Sequence, residues 1–95
     1  MAIYKISPAA QSDLVDIYVW GIQNWGTTKA NNYQLQLIAA FNILVENPDM
    51  GHSVTIRPHL QRHEVDPYVI FYRKFSYGVR IARILYKNRA MDKHL

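Results

Sequence analysis

Apolar residues in the first part of the chain recur every three to four positions, the spacing of one helical face. The pattern begins after Ser7-Pro8, where serine suits a helix cap and proline suits the first helical position. It predicts a first helix from Pro8 to about Gly26. Its apolar stripe consists of Ala10, Leu14, Ile17, Gly21 and Trp25. The preceding residues 2–6 (AIYKI) predict a short first strand.

A second helical pattern follows Thr27-Thr28, a pair that suits a helix start. It predicts a helix from about Lys29 to Asn47, ended by Pro48, and an antiparallel helical hairpin. Its main stripe consists of Ala30, Tyr33, Leu37, Ala40, Phe41 and Leu44. A neighbouring stripe consists of Leu35, Ile38 and Val45. Because there are two stripes, we expect this helix to pack on more than one surface or to leave a groove for a partner.

After Gly51 the pattern changes to short runs separated by proline and glycine, as is typical of strands. The predicted strands are Val54–Arg57, Leu60–Val65, Tyr68–Phe75 and Val79–Lys87. A tight turn at Ser76-Tyr77-Gly78 joins the last two. The order β-α-α-β-β-β-β predicts one α+β domain over residues 1–95, with the helical hairpin on one face of a mostly antiparallel sheet.

The last predicted strand, VRIARILYK, does not alternate between apolar and polar side chains. Arg83 shares its row with three aliphatic residues. A guanidinium in such a row needs a partner, because an unpaired buried charge is very costly. Two interpretations remain open: an internal ion pair, with Glu64 or Asp66 as the candidates, or contact with a partner molecule.

Charge is distributed unevenly along the chain, whose formal net charge is +4. Residues 1–50 contain two cations and four acids, whereas residues 51–95 contain nine cations and three acids. The second part therefore predicts a surface for nucleic acid or an acidic protein segment. The residues of this predicted basic surface are Arg57, Arg62, Arg73, Arg80, Arg83, Tyr86, Lys87 and Arg89. The alternative is a solvated sheet face whose cations serve solubility.

Residue patterns that carry catalysis are scarce. The absence of cysteine excludes disulfides, thiolate zinc sites and thiol catalysis. The four histidines lack helical metal-ligand spacing, and the four glycines are too scattered for a phosphate loop. We therefore expect no catalytic residue, metal or cofactor, although clustered arginine and histidine could also cleave RNA without a metal. Without a signal-peptide pattern or an apolar run of about 20 residues, we expect a cytoplasmic protein.

Nearly the whole chain resembles the ParE-type toxins of the ParE/RelE superfamily, which belong to bacterial toxin–antitoxin pairs. The matching segments, in order, are YKISPAAQSDLVDIYVW, NWGTTKANNYQLQL, ENPDMGHSV, IRPHLQRHEVDPYVIFYR and GVRIARILYKNRAMDKHL. The resemblance implies a toxin that poisons DNA gyrase by binding. It also implies a ParD-like antitoxin that wraps the toxin and alone contacts operator DNA. Alternatives are a ribosome-dependent mRNA endonuclease of the RelE type and an inactive binding module with this fold.

Two features depart from the family pattern. Similar toxins end their last strand with Arg-(Ile/Val)-Leu-His, whereas here Arg83-Ile84-Leu85 is followed by Tyr86. Tyrosine keeps a ring and a hydrogen-bond donor but does not titrate near neutral pH. RelE-type ribonucleases typically add a C-terminal segment with a tyrosine, which this sequence lacks after Leu95. This second difference argues against the nuclease.

The resemblance also suggests where the antitoxin binds. We expect an amphipathic antitoxin helix to fill an apolar groove on the helical hairpin, and an extended acidic tail to cross the basic surface. The residues expected to line the groove are Trp20, Trp25, Tyr33, Leu37 and Phe41. We also expect the charged segment from Lys87 to Leu95 to face the target.

Overall fold

The structure, a computed structural model, describes residues 1–55 and 57–87. The elements are β1 (Ile3–Ile6), α1 (Pro8–Trp25), α2 (Thr27–Glu46), β2 (His52–Ser53), β3 (Leu60–Val65), β4 (Tyr68–Phe75) and β5 (Gly78–Tyr86). The five strands form one sheet in the order β1-β5-β4-β3-β2. β1 is parallel to β5, and the other neighbouring strands are antiparallel. The predicted α+β fold is therefore confirmed. Within these residues, no helix is long and apolar enough to cross a membrane.

Ser7 begins α1 as the sequence predicts. Its Oγ accepts a 3.0 Å hydrogen bond from the N–H of Ala10, and Pro8 occupies the first helical turn. Gly26, with φ +88°, ends α1 and at the same time begins α2. The predicted cap at Thr27-Thr28 is therefore wrong, because the hairpin connection is a single glycine and both threonines are already helical.

Most of both main helical stripes is buried, against the sheet or, for Gly21 and Ala30, between the two helices. The buried residues of the helices are Ala10, Leu14, Ile17, Gly21, Ala30, Tyr33, Leu37, Ala40, Phe41 and Leu44. Ile38 and Val45 of the second stripe pack partly against the same core, whereas Leu35 is 68% exposed. α2 therefore packs against the core with its main stripe and with Ile38 and Val45 of the second stripe, whereas Leu35 remains at the surface.

The second strand is shorter and earlier than predicted. It comprises His52–Ser53 and pairs with Arg62 and Gln61 of β3. Of the predicted strand Val54–Arg57, the described residues Val54, Thr55 and Arg57 are not in a strand, and the N–H of Arg57 donates to the carbonyl of Val54. The predicted strand Leu60–Val65 is confirmed, and so is Tyr68–Phe75.

A bulge explains the irregular pattern of β5. Phe71 of β4 pairs with Arg83 and Tyr72 pairs with Ile81, so Ala82 is an extra residue in β5. An extra residue reverses which positions face each side of a sheet.

The burial of the flanking residues agrees with this reversal. Val79 and Ile81 before the bulge, and Ile84 after it, all join the core formed with the helices. Leu85 instead packs with Val69 and Phe71 in a second cluster. Because residues 69 and 71 alternate with core residues 70 and 72, this second cluster lies on the opposite face of the sheet.

Candidate functional site

Arg83 forms an ion pair within the molecule, and its partner is Asp13 of α1. Its Nε lies 2.8 Å from Oδ2 of Asp13, and its Nη2 lies 3.0 Å from Oδ1. The side chains are 29% and 12% exposed, respectively. The hydrogen bonds that Arg83 donates to Asp13 raise the pKa of Arg83, so the guanidinium stays charged. The internal partner is thus Asp13, and the expected candidates Glu64 and Asp66 are wrong.

This pair lies where β1 ends and leaves the edge of β5 without a neighbouring strand. There the backbone N–H of Ser7 donates to the carbonyl of Ile81 at 2.9 Å, and its hydroxyl donates to the carbonyl of Ala82 at 2.8 Å. Asp13 Oδ2 accepts the N–H of Ile84 at 2.9 Å. The start of α1 therefore takes over the hydrogen bonds that a longer β1 would have made, which orients the ion pair.

A cleft of about 420 Å³ opens beside the ion pair, between α1, the start of β4 and the end of β5. The lining residues are Asp13, Asp16, Ile17, Trp20, Tyr68, Arg83, Ile84, Leu85 and Tyr86. The structure therefore brings together Trp20, predicted to line the antitoxin groove, with Arg83 and Tyr86, predicted to belong to the basic surface. We call this site the α1–β5 cleft.

A series of aromatic rings leads from the helical hairpin into the cleft. Trp20 contacts Trp25 with ring centroids 5.1 Å apart, and Trp25 contacts Tyr33 at 5.7 Å. Tyr33 contacts Tyr68 at 5.9 Å, and Tyr68 contacts Tyr86 at 5.4 Å. Burial raises the pKa of Tyr33, so this phenol stays protonated. Sequence reasoning missed Tyr68, because its nearness to the tryptophans depends on how β4 packs on the hairpin.

The predicted antitoxin groove is not formed as a whole. Leu37 and Phe41 are fully buried and Tyr33 is 8% exposed, because α2 packs this stripe onto the sheet. Trp20 is 45% exposed and Trp25 is half-buried. The tryptophans alone, among these five residues, present substantial surface to a partner.

Part of the predicted basic surface forms a row of cations across three strands. Lys5 of β1 pairs in register with Arg80 of β5, which pairs in register with Arg73 of β4. Because the adjacent positions Tyr72, Val79 and Ile81 belong to the core with the helices, the row lies on the opposite face. We call it the cation row. Lys5 was not part of the predicted surface.

The two arginines of the cation row have no carboxylate partner within residues 1–55 and 57–87. Directly opposed like charges on neighbouring strands destabilise a sheet. At one end of the row, Phe75 and Tyr77 stack with centroids 5.3 Å apart, and Lys5 Nζ lies 4.5 Å from the Tyr77 ring centroid. The row is therefore suited to an anionic partner.

The other predicted cations are dispersed. Arg62 Nη2 lies 2.9 Å from Oε1 of Glu64, and Lys87 Nζ lies 2.8 Å from Oδ1 of Asp66. Arg57 is exposed in the loop before β3. Arg89 and most of the segment Lys87–Leu95 lie outside the described residues. In the described part of the chain, no three histidine, aspartate or glutamate side chains come together as a metal site requires.

Comparison with known proteins agrees with the fold and the residue patterns. Residues 4–91 match the family described as "ParE toxin of type II toxin-antitoxin system, parDE". The chain belongs to this family of ParE toxins. It is 32% identical to Toxin ParE1 of Caulobacter vibrioides, with 100% of this chain and 99% of that protein covered. It is also 30% identical to Toxin ParE1 of Mycobacterium tuberculosis, with 97% and 96% covered.

A solved structure is also similar in fold. The structure titled "Chromosomal ParDE TA system from P. aeruginosa" matches with a TM-score of 0.79 at 22% identity. The match covers 90% of this chain and 96% of that chain. At this identity, the likeness shows that the ParE toxin shares the fold. The α1–β5 cleft and the cation row are the candidate sites that this fold supports.

Proposed function

We propose that this ParE toxin inhibits DNA gyrase by binding it, blocks replication in the cytoplasm, and is neutralised by a cognate ParD-like antitoxin. Operator DNA is then contacted through the antitoxin. The supporting observation is the match to ParE toxins at residues 4–91, with two Toxin ParE1 relatives matched over 96% or more of their length. Action by binding agrees with surfaces made of cations and aromatic rings.

An apolar groove between the two helices supports an antitoxin partner. It has a volume of about 570 Å³ and lies between Val15 of α1 and Leu35 of α2, which are 61% and 68% exposed. The side-chain oxygen of Gln34 is buried there without a hydrogen-bond donor among the described residues. An amphipathic helix with apolar anchors and one donor fits such a groove. We call it the hairpin groove and assign it to the antitoxin.

The cation row supports contact with the target. Arg73 and Arg80 are partners on neighbouring strands, whose backbones lie about 5 Å apart. Their side chains can therefore hold phosphates or carboxylates side by side. Gyrase acting on DNA offers both kinds of group. The row lies on the face of the sheet opposite the helices, so target and antitoxin surfaces are separated.

A gyrase assay tests the proposal. We expect the purified toxin, added to gyrase, ATP and plasmid, to stop supercoiling and to leave linear DNA linked to protein after denaturation. Mixing the toxin with its antitoxin first should prevent both effects. The double variant Arg73→Ser/Arg80→Ser should be weaker, whereas Arg57→Ser, an exposed loop arginine, should act as the unchanged protein does.

This assay, together with a ribosome-dependent mRNA cleavage assay and expression of the toxin in cells, separates the alternatives. Unimpeded supercoiling at a toxin excess would contradict gyrase inhibition. Ribosome-dependent cuts in mRNA would establish a RelE-type nuclease. Neither activity, together with harmless expression, would leave an inactive module that binds the antitoxin.

A further inference from the structure

The α1–β5 cleft has a negative charge that the described residues do not compensate. Asp13 is neutralised by Arg83. Asp16, one helical turn further along α1, is exposed and has no hydrogen bond or ion pair within residues 1–55 and 57–87. The predicted basic surface included Arg83 and Tyr86, yet the described lining of this cleft attracts a cation.

The aromatic walls of the cleft attract the same kind of group. Trp20 and Tyr86 are 45% and 38% exposed, and Tyr68 contacts Tyr86 edge-on. The faces of such rings carry negative electrostatic potential, and tryptophan binds cations best. The volume of about 420 Å³ lies within the range of about 300–1,000 Å³ that is typical of ligand sites.

We propose that the α1–β5 cleft binds an arginine side chain of the antitoxin, whose guanidinium pairs with the Asp16 carboxylate and stacks on Trp20 or Tyr86. Arginine fits better than lysine, because a planar guanidinium can stack on a ring while it donates two hydrogen bonds to a carboxylate. The assignment to the antitoxin rests on the proposed function.

The position of the cleft favours the antitoxin over the target as the source of the arginine. α1 separates the cleft from the hairpin groove and contributes residues to both. A chain that fills the hairpin groove can therefore reach the cleft by crossing one helix. The cation row, assigned to the target, lies nearer the start of β5, whereas the cleft lies at the end of β5.

Binding of a small probe to the toxin alone tests the chemistry of the cleft. N-acetyl-arginine amide should shift the NMR signals of the Trp20 indole N–H and the Tyr86 ring in a saturable way. Replacing Asp16 by Asn should weaken this binding by about fivefold, the size of one exposed ion pair. Glu46→Gln makes the same change of charge at the exposed end of α2 and should leave binding unchanged.

A neutral probe completes this test. N-acetyl-citrulline amide has nearly the same shape as the arginine probe but carries no charge, so it should bind at least about fivefold more weakly. Equal binding of the two probes, or unchanged binding to Asp16→Asn, would overturn the proposal. Amide spectra of the variant should confirm that this exposed substitution leaves the fold intact.

A second measurement identifies the source of the arginine. Asp16→Asn should dissociate from the antitoxin about tenfold faster than Glu46→Gln, while gyrase inhibition without antitoxin stays the same. If antitoxin affinity is unchanged and gyrase inhibition falls instead, the antitoxin assignment is wrong. If the unsubstituted toxin binds no antitoxin, the proposed function fails, although the probe can still bind the cleft.

Discussion

Asp13 connects the beginning and the end of the fold. Its carboxylate accepts two hydrogen bonds from the Arg83 guanidinium and one from the Ile84 N–H. These partners lie 70 and 71 positions away in the chain. Because the carboxylate side chain is 12% exposed, water compensates little for a lost partner.

Replacing Arg83 by Leu should therefore destabilise the toxin. Asp13 keeps the Ile84 N–H but loses its countercharge in a mostly buried position, at a cost of about 1–3 kcal/mol. The free energy of unfolding in urea measures this loss. Arg80→Leu, the same change at an arginine without a carboxylate partner in the described chain, should not lower the free energy of unfolding. Equal stability of Arg83→Leu and the unsubstituted toxin would contradict a structural role for Arg83.

His63 should make the stability of the toxin depend on pH. Burial lowers the pKa of His63. The negative charge of Glu64 raises this pKa and the nearby His52 lowers it, but burial is the largest cause. As the pH falls below about 6.5, the unfolded chain therefore binds a proton at His63 more readily than the folded chain does. Above that pH, neutral His63 costs the folded state nothing. As the pH falls through the lowered pKa of the folded state, the free energy of unfolding decreases.

The measurement is the free energy of unfolding between about pH 7.5 and 5. His63→Gln should reduce the fall in stability over this range. His59→Asn also removes a histidine, and asparagine tolerates the positive φ of 70° at this exposed position, so this variant is the control for the loss of an imidazole. An unchanged slope in His63→Gln would exclude His63 as the cause.

At the scale of elements, β1 depends on one glycine for its close approach to β5. Ile3 and Gly78 are partners in the parallel register, and Gly78 has φ +140°. A Cβ atom at Gly78 would lie 1.9 Å from the carbonyl oxygen of Ile3. The backbone cannot give way there without separating the strands.

Gly78→Ala should therefore destabilise the toxin much more than Gly26→Ala. Gly26 also has a positive φ, +88°, but nothing lies within 4 Å of an added Cβ, so its cost is backbone strain of about 1–3 kcal/mol. Thermal unfolding of the two variants measures the difference. Similar melting temperatures would show that β1 can move away from Gly78 at little cost.

The cation row should lower the free energy of unfolding of the toxin and, at the same time, support its binding to gyrase. Arg80 lies directly between Lys5 and Arg73, so Arg80→Thr relieves repulsion and should raise the free energy of unfolding by about 0.2–1 kcal/mol. We expect the same variant to inhibit gyrase less. The supercoiling assay measures this loss, with Arg57→Thr as the control for charge. Full inhibition by Arg80→Thr would mean that the target binds elsewhere.

At the scale of the whole molecule, apolar and charged surfaces lie on different sides. The hairpin groove exposes Val15 and Leu35, whereas the cation row lies on the sheet face opposite the helices. Apolar burial is not screened by salt, but interactions between exposed charges are. The two proposed partners should thus respond differently to ionic strength.

We expect the antitoxin complex to persist in about 1 M salt, where the Debye length is about 3 Å, and gyrase binding to weaken strongly there. Size-exclusion chromatography of the antitoxin complex and surface binding measurements with gyrase provide the comparison.

Leu35→Ser should weaken the antitoxin complex, whereas Asn42→Ser, an exposed polar position on the same helix, should not. Complete dissociation of the antitoxin in high salt would contradict a mainly apolar interface.

Local patterns accounted for much of the fold. Ala10 and Leu14 of α1, like Leu37 and Phe41 of α2, were recognised from spacing alone, because a helix places residues three and four apart on one face. The last two long strands were also recognised, because turn residues separate them. The candidate site was predicted less well, since Leu37 and Phe41 were assigned to a groove although the sheet covers them.

The sequence by itself therefore determined the helical faces, most strand positions, the excess of cations in the second part and the family. Tertiary structure decided what Arg83 does, because its partner Asp13 is 70 positions away and the bulge at Ala82 alters the facing of β5. It also decided which cations gather and which aromatic rings meet. The physical reason is range: spacing along the chain sets local geometry, whereas ion pairs, clefts and charged rows form between segments that only the packed sheet and helices bring together.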